Sequence, residues 1–331
     1  MDIAILKQTA KDMMVSPKGL LAADESSKTI QKRFDGLGIE CTEESRLTYR
    51  QMLFTTPGVE EFLSGIILYD ETIRQKTSDG VEIPKLLEGK GVIPGIKVDK
   101  GAFNLANFPG EKITEGLDGL RDRLIEYYGL GARFAKWRAV ITIGEGIPTE
   151  TCIEANAEIL ALYASLCQEQ NIVPIVEPEV LLDGSHTIEQ CKETQIKTLK
   201  KVFERLKAHK VILEGMILKP SMVLSGKDCP PQADSKTVAK MTVDALKQSV
   251  PEQVGGIAFL SGGQSSQFAT ENLAEINKVG GPWPLTFSYS RGLQNDPMKI
   301  WNGKPENVKV AQEDFYKKCK AVSLAHQGKL S

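Results

Sequence analysis

Residues 211–220 read VILEGMILKP, an apolar run that ends on a lysine followed by a proline. Residues 216–218 are typical of the end of a buried β-strand, and Pro220 cannot continue the hydrogen-bond ladder of a sheet. Burial of a lysine favours its neutral amine, because the ammonium loses its hydration. A neutral amine is a nucleophile, so we expect Lys219 to form a Schiff base with a carbonyl substrate. The alternative is a strand-end lysine that extends its ammonium into solvent.

The same pattern, a short apolar run that ends on a polar residue, occurs eight times along the chain and alternates with helical periodicity. The runs end at Asp24, Tyr69 with Asp70, Lys97, Lys136, Glu177, Lys219, Ser261 and Ser288. Strands that alternate with helices indicate a parallel sheet, and eight repeats favour closure into a (β/α)8 TIM barrel of the α/β class. Such a barrel carries its catalytic side chains at the carboxyl ends of the strands. Seven of these ends are therefore expected to share one site: Asp24, Lys97, Lys136, Glu177, Lys219, Ser261 and Ser288.

A doubly wound open sheet is the alternative fold. It requires a glycine-rich turn after the first strand, and residues 22–26, which read AADES, do not supply one. Residues 1–16 are predicted to form an amphipathic helix before the first strand, and residues 306–327 a long helix after the last. We therefore expect a single barrel domain over residues 1–331, with an extra N-terminal helix and a C-terminal helix.

Composition excludes several partner classes. The net charge is −2, so no global field favours nucleic acid or an anionic membrane. No segment reaches the roughly 20 apolar residues of a membrane span, and the N-terminus lacks the apolar stretch of a signal peptide, which indicates a cytoplasmic protein. The three histidines are scattered, so we predict no metal site, and the six cysteines form no CxxC pair, which indicates reduced thiols.

Two of the run ends carry groups that would act on Lys219. Lys136, in the segment FAKWR, is expected to face Lys219, and repulsion between the two ammonium groups is expected to lower the pKa of one of them. Glu177 and Glu179 lie two apart in an extended segment and should point the same way. One would work as a general acid and base while the other pairs with Lys136. Solvated side chains at a strand end are the alternative for all three.

Other motifs supply a base and an anion site. Asp24 is expected to take a proton from a substrate hydroxyl, to cap the following helix, or to do both. Residues 261–265 (SGGQS) and 288–292 (SYSRG) follow the last two strands, which in barrels often bind phosphate, and Arg291 offers a bidentate partner. A tight turn is the alternative for the paired glycines. Further cations, each also interpretable as a surface charge, are Lys32, Arg33, Arg46, Lys97 and Arg138.

Seven segments together resemble the class I, Schiff-base type of fructose-1,6-bisphosphate aldolases. They are residues 21–26, 95–101, 134–138, 176–179, 215–220, 259–265 and 285–289. The resemblance covers nearly the whole chain. It implies a (β/α)8 barrel that reversibly cleaves fructose 1,6-bisphosphate into dihydroxyacetone phosphate and glyceraldehyde 3-phosphate in glycolysis and gluconeogenesis. It further implies sugar phosphates as the partners, a homotetramer, and no metal or cofactor.

The resemblance also implies roles for the residues that match the motifs. Lys219 would carry the Schiff base, Glu177 would dehydrate the carbinolamine, and Asp24 would take the proton of the C4 hydroxyl. Lys136 and Glu179 would be the electrostatic partners of Glu177. The implied ligands of the 1-phosphate are Ser261, Gly262, Ser288 and Arg291, and Gly263 is a further candidate for substrate binding. The candidates for the 6-phosphate end and for further substrate contacts are Ser26, Arg33, Lys97, Arg138 and Arg46.

Two features depart from the family pattern. Ser290 stands where the family usually has glycine between tyrosine and arginine, so its Cβ would restrict backbone access to the 1-phosphate or its hydroxyl would add a contact. The last tyrosine is Tyr316, whereas many members end in a mobile tail with a terminal tyrosine, so another group or water is expected to protonate the enamine.

Two other functions compete with the aldolase. A lyase acting on sedoheptulose 1,7-bisphosphate would use the same site. A scaffold or filament-binding protein that has lost catalysis would show damage at a catalytic position. Asp24, Lys136, Glu177 and Lys219 are all present, which favours an enzyme.

Overall fold

Eight parallel strands close into a barrel surrounded by helices, which confirms the predicted (β/α)8 TIM barrel. The structure is a computed structural model and describes residues 1–330. The strands are β1 (Gly19–Ala22), β2 (Leu63–Leu68), β3 (Ile93–Lys97), β4 (Gly101–Asn104), β5 (Lys112–Glu115), β6 (Phe134–Ile141), β7 (Val173–Val180), β8 (Ile217–Leu218), β9 (Ile257–Phe259) and β10 (Leu285–Tyr289). Around the barrel they follow the order β1-β10-β9-β8-β7-β6-β3-β2. Strands β4 and β5 form a separate antiparallel hairpin that the sequence pattern did not predict.

The helices are α1 (Ile3–Met13), α2 (Ser27–Asp35), α3 (Glu43–Phe54), α4 (Asp70–Arg74), α5 (Ile83–Gly89), α6 (Leu120–Gly129), α7 (Glu150–Glu169), α8 (Ile188–Ala208), α9 (Ser235–Ser249), α10 (Ser266–Val279), α11 (Arg291–Trp301) and α12 (Val308–His326). Short 3-10 helices cover Val59–Glu61, Leu213–Gly215 and Pro305–Asn307. The predicted N-terminal and C-terminal helices are therefore confirmed as α1 and α12. Side-chain caps fix several helix starts; for example, Thr187 and Gln190 form a capping box at α8.

Helix α1 contributes to the core inside the barrel. Its residues Leu6, Ala10 and Met13 are fully buried and belong to one hydrophobic cluster with Phe134 and Ile217, near the start of β6 and β8. Burial of these side chains removes apolar surface from water at the amino-terminal end of the barrel. The helix therefore covers that end, and polar side chains collect at the other.

Two strands are longer than the apolar runs predicted. The runs ended at Lys136 and Glu177, but β6 continues to Ile141 and β7 to Val180. The ladder pairs eight consecutive residues of the two strands, from Phe134 opposite Val173 onward. The prediction that Lys136 and Glu177 end their strands is wrong, because charged side chains that compensate each other can occupy the interior of a strand.

No helix among residues 1–330 is both long enough and apolar enough to cross a membrane.

Close packing inside the barrel gives a test of the fold. Gly95 on β3 pairs with Phe134 on β6, and a Cβ at Gly95 would come within 3.0 Å of that fully buried ring. We expect Gly95→Ala to lower the free energy of unfolding by roughly 1–3 kcal/mol through overpacking. Gly89→Ala at the end of α5 is the matched control, because a Cβ there meets nothing within 4 Å. Urea denaturation measures both; equal stability of the two variants would contradict the packing.

Candidate active site

An open cavity of about 650 Å³ lies at the carboxyl ends of the barrel strands. All the residues that the sequence predicts for the site line this cavity, except Gly263 and Arg46. Strand-end polar residues from β1, β3, β8, β9 and β10 meet there, together with side chains from the interiors of β6 and β7. The barrel thus brings together groups that are far apart in sequence.

Lys136 occupies the centre of the charged cluster. Its ammonium is buried, and Nζ lies 3.0 Å from Asp24 Oδ2 and 2.9 Å from Glu177 Oε2. Burial lowers the pKa of the Lys136 ammonium, but the attraction of Asp24, Glu177 and Asp99 outweighs it and raises that pKa above its usual range. Repulsion by Lys219 therefore does not lower the pKa of Lys136, because the charges of three carboxylates act on it. Lys136 acts here as a fixed positive charge.

Lys219 is buried at the end of the two-residue strand β8. Its backbone N–H donates to the carbonyl of Val176 at 2.8 Å, and its Nζ lies 3.1 Å from Glu177 Oε1. The alternative of a lysine that extends into solvent is wrong, since only 3% of Lys219 is exposed. The amine lies in the wall of the cavity, where a substrate carbonyl can reach it.

Glu177 bridges the two lysines, with one carboxylate oxygen towards each. Burial raises the pKa of Glu177, but the charges of Lys136 and Lys219 outweigh this and hold the pKa below its usual value. The carboxylate is therefore ionised at neutral pH and able to accept a proton from Lys219 or from an intermediate at its nitrogen.

Asp24 follows β1 and accepts a hydrogen bond from Lys136. Burial raises the pKa of Asp24, but Lys136, Lys219 and Lys97 outweigh it and lower the pKa to about 2. The alternative of a helix cap is wrong for Asp24, because Ser26 caps α2 and accepts from the backbone N–H of Thr29. Asp24 is therefore an ionised carboxylate available as a base.

Glu179 pairs with Arg138, and of the two glutamates it is Glu177 that pairs with Lys136. Both Glu179 on β7 and Arg138 on β6 lie two residues beyond the Glu177–Lys136 pair. Two residues advance a strand by roughly 6–7 Å, so the second pair forms a separate level nearer the mouth of the cavity. Glu179 therefore does not contact the ammonium of Lys136 directly, and its charge neutralises that of Arg138.

The loops after β9 and β10 offer groups for an anion. Gly262 and Gly263 have φ angles of 55° and 87°, a left-handed conformation that glycine adopts without a steric penalty. The hydroxyl of Ser288 is buried and has no hydrogen-bond partner within the described residues. Arg291 is exposed at the first turn of α11, where the helix dipole favours negative charge. Gly263 does not line the cavity; a Cβ there would lie 3.6 Å from the guanidinium of Arg291.

A second group of cations lies on α2 and β3. Lys97 pairs with Asp99 at 2.7 Å, and Arg33 pairs with Glu25. The sequence prediction missed Glu25, Lys28 and Asp99 as lining residues. The sequence could have predicted Lys28, because Lys28 and Lys32 are four residues apart on α2 and share one helix face. The roles of Glu25 and Asp99 depend on partners that only the fold brings near.

Arg46 lies outside the cavity, contrary to its prediction as a substrate contact. Its guanidinium donates to both oxygens of Glu71, with Nε 2.9 Å from Oε1, and Glu71 also pairs with Arg50. These ion pairs tie α3 to α4. Sequence alone does not show which face of α3 meets the barrel, so it did not exclude Arg46.

Within residues 1–330, no three histidine, cysteine or acidic side chains converge in an arrangement that could hold a metal ion.

Comparisons with known proteins agree on one family. A family model described as fructose-bisphosphate aldolase class-I matches residues 5–331. The chain is 55% identical over 99% of both chains to a probable fructose-bisphosphate aldolase class 1 of Xanthomonas campestris pv. campestris. It is 52% identical to the cytosolic fructose-bisphosphate aldolase 5 of Arabidopsis thaliana, over 98% of this chain and 91% of that one.

A solved structure of fructose-bisphosphate aldolase from Plasmodium falciparum, a ternary complex with TRAP and a small-molecule inhibitor, is also similar. It superposes with a TM-score of 0.97 at 48% identity and covers 99% of this chain and 95% of that chain. The fold and the sequence therefore point the same way over almost the full length.

The buried charge cluster makes Lys136 a sensitive position for stability. Lys136→Met would leave Asp24 and Glu177 buried near each other without the ammonium that they share. We expect the free energy of unfolding to fall by roughly 3–5 kcal/mol. Lys85→Met is the matched control, because Lys85 pairs with Glu82 on the surface, where solvent screens the ion pair, and its loss should change stability little. Urea denaturation near neutral pH compares them, and similar losses in both variants would refute a buried cluster.

The lowered pKa of Asp24 predicts a pH-dependent contribution to stability. The native pKa of about 2 lies below the usual aspartate value of 3.8. The ionised carboxylate therefore stabilises the fold above about pH 4, and this stabilisation is lost as the pH falls towards 2. We expect Asp24→Asn to be less stable than wild type by on the order of 2 kcal/mol near pH 6, and the gap to narrow near pH 3. Unfolding measured at both pH values tests this. A gap that stays constant would show that the charge of Asp24 is not responsible.

Proposed function

The chain belongs to the class I fructose-bisphosphate aldolases, and we propose that Lys219 is the residue that forms the Schiff base with the ketose substrate. The enzyme is a metal-independent lyase that reversibly cleaves fructose 1,6-bisphosphate to dihydroxyacetone phosphate and glyceraldehyde 3-phosphate. One observation carries the assignment of Lys219: its buried Nζ faces the cavity and lies 3.1 Å from the carboxylate of Glu177.

Glu177 handles the protons of Schiff-base formation. Attack of the Lys219 amine on the C2 carbonyl requires an unprotonated nitrogen, and Glu177 Oε1 is close enough to take its proton. The same carboxyl then donates a proton to the carbinolamine hydroxyl, which leaves as water and yields the protonated imine. Lys136 holds the other oxygen of Glu177 throughout and keeps the carboxylate oriented.

Asp24 acts on the bond that breaks. Its carboxylate takes the proton of the C4 hydroxyl, and the electrons of the C3–C4 bond move into the protonated imine, which gives the aldehyde product and an enamine. Lys136 fixes the Asp24 carboxylate and keeps it ionised. Water or another group in the cavity protonates the enamine, and hydrolysis of the imine then releases dihydroxyacetone phosphate and restores Lys219.

Two groups of residues accept the phosphates. The 1-phosphate binds the loops after β9 and β10, through Ser261, Gly262, Ser288 and Arg291. The 6-phosphate binds the side of the cavity formed by Ser26, Arg33 and Lys97, and Arg138 adds positive charge at the mouth. Gly263 acts indirectly, because its φ of 87° gives the loop after β9 a turn that glycine adopts without a steric penalty. The chain carries a net charge of only −2, but several of its cations line the cavity, where they can attract a bisphosphate.

Membership of the family supports a proposal for the assembly and the location. The working protein is a homotetramer in the cytoplasm, and two Arabidopsis relatives carry the word cytosolic in their names. Light scattering of the purified protein tests the tetramer, which has four times the mass of the 36.3 kDa chain. A monomer or dimer at micromolar concentration would refute it.

The Schiff-base assignment predicts a defined pattern of activity. We expect Lys219→Met to lower kcat for fructose 1,6-bisphosphate cleavage by at least about 10³-fold, because no other group replaces the covalent nucleophile. EDTA should leave the wild-type rate unchanged. Lys85→Met, which removes an exposed lysine, should retain full activity. A coupled assay of glyceraldehyde 3-phosphate measures all three, and circular dichroism checks that the variants fold. Retained activity in Lys219→Met, or loss in EDTA, would overturn the proposal.

A further inference from the structure

Ser290 joins β10 to α11, and its hydroxyl lies beside the cavity. The hydroxyl donates to Glu25 Oε1 at 2.8 Å and accepts from Gln294 Nε2 at 3.2 Å. Gln294 is itself fixed, because it also donates to the carbonyl of Ala22 at 2.6 Å and accepts from the Tyr49 hydroxyl at 3.0 Å. The serine hydroxyl therefore contacts a carboxylate and is held in place by Gln294, whose own side chain is buried and fixed by hydrogen bonds.

Glu25 is the partner of Arg33. The guanidinium of Arg33 donates through Nη1 to the same Oε1 that accepts from Ser290, and through Nη2 to Asn295 Oδ1 at 3.2 Å. The other oxygen of Glu25 is buried and has no hydrogen-bond partner in the described part of the chain. Ser290, Gln294 and Asn295 span little more than one turn of α11, so one helix end holds both members of the ion pair.

The position of this pair matters because Glu25, Arg33 and Ser290 all line the cavity. A phosphate that binds Arg33 must displace the Glu25 carboxylate from it or approach a negative charge that is 8% exposed. A guanidinium binds a carboxylate and a phosphate through the same N–H groups, so the two anions compete. The strength of the Glu25–Arg33 pair therefore sets how readily Arg33 accepts a phosphate.

We propose that Ser290 is a positioning residue that fixes Glu25 on Arg33 and thereby sets the preference between ketose bisphosphates and ketose 1-phosphates. The inference rests on the proposed assignment of Arg33 to the second phosphate. Ser290 stabilises the carboxylate in the orientation that holds Arg33. Its hydroxyl weakens the binding of the second phosphate. The hydroxyl proton is donated to Glu25 and is not available to the 1-phosphate, so its removal leaves the binding of a 1-phosphate unchanged.

Ser290→Ala removes only the hydroxyl, and the ratio of two specificity constants reports its effect. We expect kcat/KM for fructose 1,6-bisphosphate, divided by kcat/KM for fructose 1-phosphate, to rise roughly three- to tenfold, the scale of one hydrogen bond to a charged group that is partly replaced. The change should lie in KM for the bisphosphate, with kcat unchanged. Ser290→Thr keeps a hydroxyl at this position and is the matched control, so its ratio should equal that of wild type.

Glu25→Gln tests the same link from the other side. The amide keeps an oxygen that accepts from Ser290 but loses the charge that competes for Arg33. We expect the specificity ratio to rise at least as much as in Ser290→Ala. In the double variant, Ser290→Ala should add nothing further, because the carboxylate that the hydroxyl fixes is gone. If Ser290→Ala does not fold, Glu25→Gln and Ser290→Thr decide the question.

Three results would overturn the proposal: an unchanged ratio in Ser290→Ala and Glu25→Gln, a lower ratio, or equal losses for both substrates, which a merely structural role would cause. Additive effects in the double variant would also overturn it. Failure of the proposed function looks different, because wild type would then cleave neither ketose. Binding of the two ketoses to the Lys219→Met variant, measured by calorimetry, gives the same ratio without turnover and still decides the role of Ser290.

Discussion

One ammonium group, that of Lys136, holds the centre of this molecule together. It is buried and shared between Asp24 and Glu177, at 3.0 and 2.9 Å. Without a counter-charge, the two carboxylates would lose their hydration and repel each other, and this arrangement of the site would not be stable. With Lys136 in place, both carboxylates stay ionised, and Glu177 still has an oxygen directed at Lys219. The chemistry at Lys219 therefore depends on a residue that does not itself carry the substrate.

The barrel makes this arrangement possible. Parallel pairing of β6 and β7 sets Lys136 opposite Ile175 and Arg138 opposite Glu177. Both ion pairs, Lys136–Glu177 and Arg138–Glu179, therefore run diagonally to the residue two positions further along β7. Helix α1 packs against the amino-terminal end, so the charged groups collect at the carboxyl end. The same end carries the helix start at α11, which brings anion-binding groups and the Ser290–Glu25 contact to one side of the cavity.

The sequence predicts the fold and most of the site, because a run of apolar residues that ends on a polar one is a local signal. Asp24, Lys97, Lys219, Ser261 and Ser288 follow directly from it and line the cavity. The same rule ends two strands too early, since it treats the first charge as the end of a strand. A local sequence pattern does not show that a residue on another strand compensates the charge.

Pairing between distant residues is the part that sequence does not give. Arg46 was assigned to the substrate but binds Glu71, and Glu179 binds Arg138, a pair that the sequence did not predict. Repulsion between Lys136 and Lys219 was expected to lower the pKa of one of them. The pKa of Lys136 instead rises, because the attraction of the nearby carboxylates is stronger. Each difference arises from contacts between residues that are 25 or more positions apart.

Covalent capture of the intermediate tests the central assignment most directly. Borohydride added during turnover of fructose 1,6-bisphosphate reduces an imine to a stable secondary amine, and digestion followed by mass spectrometry locates the modified residue. The account predicts one sugar-phosphate adduct, on Lys219, at a stoichiometry approaching one per chain. An adduct on Lys136 instead, or turnover without any adduct, would contradict it.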